Sequence, residues 1–239
     1  MTAYDLLFLL VLFAVSLIQG GLGFGFGSIA MAVLVQFGDA RALVPQVALA
    51  GLPVVGAMAF HLRGHVRLRR IVPLAVGVIV GTVLGVSVLT ALGSGTIRHL
   101  VGWAVIVASV LGILRPGVMS ALRGTWQAYP MGFLAGCLSV FNAPSPPLVH
   151  YVHAQTWSAE ERKAVLQVVF ILCSTLRVAL FWTYGMYTRQ IVWLPLVAIP
   201  MVVVGALFGH RFVRGVPQAA FARVVYLFLL VLGLLLVVH

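Results

Sequence analysis

Apolar runs of roughly 20 residues recur along the chain, and no polar stretch between them is long enough to fold as a soluble domain. A run of that length crosses the ~30 Å hydrocarbon core of a bilayer as an α-helix. The pattern predicts full spans at residues 42–60, 71–92, 97–114, 164–184, 191–212 and 221–238. Two further apolar runs are interrupted. The first predicts short helices over 6–18 and 28–37, around Q-G-G-L-G-F-G-F-G-S, where five glycines fall in eight positions. Glycine weakens a helix by about 1 kcal/mol against alanine. The stretch therefore predicts a break or, as the alternative, close helix packing through Gly21/Gly25 and Gly23/Gly27. The second interrupted run predicts short helices over 130–141 and 148–154, around N-A-P-S-P-P. Three prolines in four positions there remove backbone donors and stop the helix.

Breaks at that depth are informative, because lipid offers nothing to satisfy free N–H and C=O groups. A non-helical backbone is tolerated only where protein buries it or a polar cavity receives it. The two halves follow one plan, with repeats at about 5–114 and 129–238 within a single membrane domain covering 1–239. Local matches recur about 120 residues apart: Pro73-Leu74 with Pro195-Leu196, Gly81/Gly85 with Gly205/Gly209, and Leu111-Gly112 with Leu232-Gly233.

Composition sharpens this picture. The chain has 239 residues, 62% hydrophobic and 8% charged, with mean hydropathy +1.15, which makes it a multi-pass membrane protein. Its net charge of +11 sits in short segments between the apolar runs, a topology signal rather than a nucleic-acid surface. If each broken segment crosses the membrane, the loop cations divide seven to seven. If each dips in and returns, eleven (63, 67, 69, 70, 115, 123, 162, 163, 211, 214 and 223) face one side, and Arg41, Arg98 and Arg189 face the other. The positive-inside rule selects the second topology. The expected fold is all-α: two inverted repeats, each a re-entrant broken hairpin followed by three transmembrane helices. Repeats of that kind commonly hold substrate at their interface, beside the interrupted helices. The opening M-T-A-Y-D lacks the basic region of a signal peptide and is read as part of the mature chain.

The four acids, Asp5, Asp39, Glu160 and Glu161, lie near segment ends, so no span carries a carboxylate for a cation site. Cys137 and Cys173 have no ligand spacing and read as packing residues; no metal or cofactor is expected. Arg177 is different. It sits in V-V-F-I-L-C-S-T-L-R-V-A-L-F-W, apolar on both sides, and needs an anion or the carbonyls of a broken helix as partner; otherwise it snorkels to the interface. The helix starts near Gly27-Ser28 and Pro146 favour an anion through free N–H groups and the helix dipole. Gly23, Gly25 and Gly27 at the break are expected substrate-binding positions, and Ser28, Asn142 and Ser145, with Gln19 from the other arm, offer side-chain hydrogen bonds. Serine and asparagine also cap helices with nothing bound. His150 and His153 are candidates for a proton relay or for interfacial structure. Gln46 reads first as a partner to a neighbouring helix. The five tryptophans read as interface or packing aromatics.

In order along nearly the whole chain, several stretches resemble the TauE/SafE family of sulfite exporter-like permeases. They are G-G-L-G-F-G-F-G-S-I-A-M, F-H-L-R-G-H-V-R, P-L-A-V-G-V-I-V-G-T-V-L-G, A-P-S-P-P-L-V-H-Y and E-E-R-K-A-V-L-Q. Ser145 stands where that family usually has glycine. The resemblance implies transport of small sulfur anions, sulfite or sulfonates, across the bacterial inner membrane. The expected function is a secondary transporter working by alternating access, with an anion channel using the same central site as the alternative. A membrane enzyme is excluded by the lack of a carboxylate pair or a Cys/His cluster. The expected partners are a small anion and the lipid bilayer, without nucleic acid; the oligomeric state is left open.

Overall fold

The computed structural model describes residues 2–65, 68–113, 124–142, 145–212 and 218–238. Among them are ten α-helices and no strand: α1 (Ala3–Leu22), α2 (Phe26–Leu34), α3 (Ala40–His61), α4 (Leu68–Thr90), α5 (Ser94–Ile113), α6 (Ala128–Ser139), α7 (Ser145–Ala154), α8 (Ala159–Thr183), α9 (Arg189–Phe212) and α10 (Gln218–Val238). Of these, α1, α3, α4, α8 and α9 are long and apolar enough to cross a membrane, and α5 and α10 carry shorter apolar stretches. Arg67, Arg115, Arg123 and Arg214, counted above among the loop cations, lie outside the described residues.

Both predicted breaks are present, with shifted edges. The helix expected over 6–18 runs from Ala3 to Leu22, 20 residues, so α1 alone is long enough to span. A capping box starts it: the Asp5 N–H donates to Thr2 Oγ1 at 3.2 Å, and the Thr2 N–H donates to Asp5 Oδ2 at 2.7 Å. It continues through Gly20 and Gly21 because this surface is a packing face. A Cβ at Gly20 would fall 2.8 Å from the His210 backbone nitrogen on α9. The break is the reading that holds: Gly23 and Gly25, which the packing alternative pairs with Gly27 and Gly21, make the turn, and it is Gly20, outside those pairs, that packs on α9. In the second half α7 begins at Ser145, not 148. Pro146 and Pro147 occupy its first turn, where the missing N–H groups have no helical partner in any case.

Three of the four acids, Asp5, Asp39 and Glu161, serve as helix caps. Asp39 Oδ2 accepts from the Ala42 N–H at 3.0 Å, and Ser158 with Glu161 forms a second capping box at the start of α8. Glu161 also meets Arg70 at 3.0 Å, tying α8 to α4, and Arg70 lies over the Trp157 ring at 4.8 Å.

The principal helix pairings are α1 with α9, α4 with α6, α5 with α10, α3 with α8, α3 with α9 and α4 with α8. Exchanging α1–α5 for α6–α10 leaves this set unchanged. Their directions are fixed by individual contacts. Gly205 faces Ser16 and Gly209 faces Leu17, so α1 and α9 run parallel. Gly77 faces Phe133 and Gly81 faces Cys137, so α4 and α6 do as well. Gly56 meets Ile171 while the Tyr187 hydroxyl donates to the Pro45 carbonyl at 3.3 Å, so α3 and α8 are antiparallel. Past the end of α2, Gly38 packs on the Tyr4 hydroxyl at the start of α1; a Cβ there would lie 2.6 Å from it. The chain thus returns after the first break to the level at which it began.

Candidate functional site

At the first break the backbone turns on two left-handed residues, Gly23 (φ 83°) and Gly25 (φ 105°), a region open to glycine and strained for side-chain-bearing residues. The polar groups released there are recovered by two glutamines. Gln19 Oε1 accepts from the Phe26 N–H at 3.1 Å, and its Nε2 donates to the Gly23 carbonyl at 3.3 Å. Gln167, reaching in from α8, donates to the same carbonyl at 2.6 Å. Both glutamines are buried, so each bond avoids the cost of about 1–3 kcal/mol attached to an unmatched buried polar group. Gln19 thus bridges the end of α1 to the start of α2, and both atoms of its amide are engaged in that link.

At the second break Asn142 adopts φ 60° and donates through Nδ2 to the Val44 carbonyl at 3.0 Å. The Ser139 carbonyl, at the negative end of α6, accepts from Arg177 Nη1 on α8. The arginine is 4% exposed, so it does not snorkel, and of its two expected partners the protein supplies the helix-end carbonyl. Its Nε has no protein partner. α8 therefore reaches both breaks, with Gln167 at one and Arg177 at the other.

The two breaks touch. A Cβ on Gly27 would overlap the Asn142 carbonyl and lie 2.8 Å from the Asn142 Cβ. Beside this contact is a cavity of about 40 Å³, room for a few waters or one small oxyanion. Its polar lining is Arg177, Ser174, Asn142, Gln19 and the start of α2 at Gly25 and Gly27. The apolar lining is Phe26, Phe170, and Val47 and Val55 flanking Gly51 on α3. Arg177 is the single buried Asp, Glu, Lys or Arg among the described residues. The four acids are at helix starts, so nothing neutralises it from within the protein.

Five of the predicted site residues, Gln19, Gly25, Gly27, Asn142 and Arg177, line this cavity. Gly23 stands beside it and faces Gln167. Ser28 is buried and does not line the cavity. Ser145 opens α7, and its side chain lies outside the described residues. His150 is buried and His153 exposed, both on α7 and neither on the cavity wall. Ser174 and Gln167 were missed. A signal for Gln167 exists: Val44-Pro45-Gln46-Val47 on α3 recurs as Val165-Leu166-Gln167-Val168 on α8, marking the matched helices that pack at the centre. Among the described residues no cluster of three or more metal-ligating side chains occurs.

These features define a multi-pass α-helical membrane protein whose two broken segments meet beside a cavity lined by a buried arginine. The family of that class is given by sequence comparison: the sulfite exporter TauE/SafE family profile matches residues 7–236, and the chain belongs to that family. A relative from Cupriavidus necator, described as a probable sulfite/organosulfonate exporter TauE, is 28% identical over 218 residues, covering 88% of this chain and 85% of the relative. No solved structure gives a significant match.

Proposed function

We propose that this chain is a secondary transporter that exports a small sulfur anion, sulfite or an organosulfonate, across the bacterial inner membrane by alternating access. One observation carries the reading: a buried, acid-free arginine, Arg177, on the wall of a cavity where two helix breaks meet. An oxyanion fits that environment, because the guanidinium charge and proximity to the positive end of α2 both favour negative charge. The apolar lining residues Phe26, Phe170, Val47 and Val55 suit a short organic substituent. The name of the Cupriavidus relative agrees with this substrate class.

Alternating access follows from the proposed relation between halves. The pairings are unchanged on exchanging the halves, α3 and α8 pair antiparallel, and the chain returns to the level of Tyr4 after the first break. Two inverted repeats, each with a re-entrant hairpin, account for all three and for the eleven-to-three charge asymmetry. Single cysteines replacing Ala3 and Arg41, in a protein lacking the native cysteines, should be labelled from the same side of the membrane. Labelling from opposite sides would show that the first broken segment crosses, and would remove the inverted arrangement.

The ligand class is tested by thermal stability of the purified protein against sulfite, methanesulfonate, sulfoacetate, sulfate and chloride at fixed ionic strength. An anion at a hundred times its dissociation constant adds about 2.7 kcal/mol. Stabilisation by sulfite or a sulfonate, and not by chloride, is the expected result; equal stabilisation by all five would reduce the site to a nonspecific anion trap.

A further inference from the structure

We infer that the buried arginine sets the energy source of transport: the site carries one positive charge when empty and none when loaded with a monoanion. The membrane potential then drives export by pulling the empty site back to the cytoplasmic side. This inference rests on the transport reading above.

The charge count is short. All four acids of the chain are described, and they sit at helix starts: Asp5 at α1, Asp39 before α3, Glu160 and Glu161 at α8. No other acid, lysine or arginine is buried among the described residues, so the interior around the cavity holds a single formal charge. A guanidinium does not release its proton under physiological conditions. Its contact with the Ser139 carbonyl draws on a dipole and leaves the full charge in place.

When access alternates, the aqueous side to which the cavity connects changes, so the site's charge shifts within the transmembrane field even if Arg177 scarcely moves. A monoanion cancels that charge, and the loaded step becomes indifferent to voltage. The empty site, at +1, is drawn towards the negative cytoplasmic side. One negative charge leaves per cycle, and no coupling ion is needed. For such a uniporter the steady-state ratio of outside to inside anion rises about tenfold for every ~60 mV, the voltage equivalent of a factor of ten for one charge. A dianion would make the loaded site −1 and restore voltage sensitivity to that step.

The test uses the full chain in liposomes, with the potential clamped by potassium gradients and valinomycin. Two probes are followed: methanesulfonate, which carries one charge throughout the working pH range, and sulfite at mildly acidic pH, where bisulfite predominates. Net efflux and anion-for-anion exchange are measured separately, because exchange omits the empty return. The inference expects net efflux to accelerate with interior-negative potential and to settle at the tenfold-per-60 mV ratio, while exchange stays unchanged.

Saturable transport with neither mode responding to voltage would overturn the inference and leave the transporter reading intact. Voltage dependence in both modes would overturn it too, by showing that charge crosses in the loaded form or through a pore. No movement of either probe above protein-free liposomes would overturn the transport reading and this inference with it. Arg177→Gln, assayed at high methanesulfonate, should give exchange the voltage dependence that the native protein lacks. If that variant is inactive, the native pair of measurements decides alone.

Discussion

Arg177→Gln is expected to eliminate anion-induced stabilisation and to reduce transport at low substrate by about a hundredfold, while leaving the ligand-free protein as stable as before or slightly more so. The direction of the effect on stability comes from weighing a lost bond against a relieved desolvation. Losing the bond to the Ser139 carbonyl costs about 1–3 kcal/mol if that acceptor is left unmatched, and the glutamine amide recovers part of it. Against this, an arginine 4% exposed with no acid beside it has given up its hydration, a penalty of several kcal/mol that the substitution removes. The desolvation penalty outweighs the lost bond, so the melting temperature of the empty protein should hold or rise. The loss of binding reflects one or two charge-assisted hydrogen bonds at about 1.5–3 kcal/mol each. A purely structural arginine gives the opposite signature: a lower melting temperature for the empty protein and an unchanged shift on adding anion. Melting curves with and without sulfite or methanesulfonate, for both proteins, distinguish the two.

The second large effect is expected at Gly27. Its missing side chain lets the start of α2 rest against the Asn142 carbonyl, so Gly27→Val sets a side chain against backbone that has no rotamer to adjust. One break must retreat from the other, straining the Asn142 bond to Val44 and the neighbouring Arg177 bond to Ser139. Overpacking of this kind costs about 1–3 kcal/mol, and displacing donors by an ångström costs a binding site more than it costs a fold. Transport should fall at least tenfold, with a lower melting temperature. Gly93→Val is the control, because a Cβ there meets nothing within 4 Å; its transport should match the native protein. Loss of transport in both would mean that glycine content, not the contact between breaks, is what matters.

The particular residues show how far sequence reasoning reaches. Arg177 was legible because a charge flanked by apolar residues is expensive in a bilayer wherever its partners are. Asn142, Gly25 and Gly27 were legible because prolines and clustered glycines interrupt a helix through local backbone chemistry alone. Gln19 was singled out as a hydrogen-bonding candidate, yet both atoms of its amide are occupied in joining α1 to α2. Ser174 went unnoticed: serine is common in membrane helices, and only its position one turn before Arg177 brings it to the cavity. Local glycine content indicates the break, which Gly23 and Gly25 make, but not that the close helix packing falls on Gly20, outside the pairs Gly21/Gly25 and Gly23/Gly27.

By itself the sequence determined the membrane class, the positions of the apolar helices, the two breaks and the lone interior charge. Each depends on residue type or on neighbours within a turn or two: apolar length against bilayer thickness, missing backbone donors, left-handed φ, and charge without local compensation. Only the tertiary structure decided that the breaks meet, that α8 serves both of them, and that the arginine holds the Ser139 carbonyl while its Nε remains unpartnered. Those facts rest on Gly23 with Gln167, Gly27 with Asn142, and Ser139 with Arg177, pairs separated by 38 to 144 residues. No local propensity encodes such contacts; they follow from how small-residue surfaces allow whole helices to approach, and that is settled only when all of them pack at once.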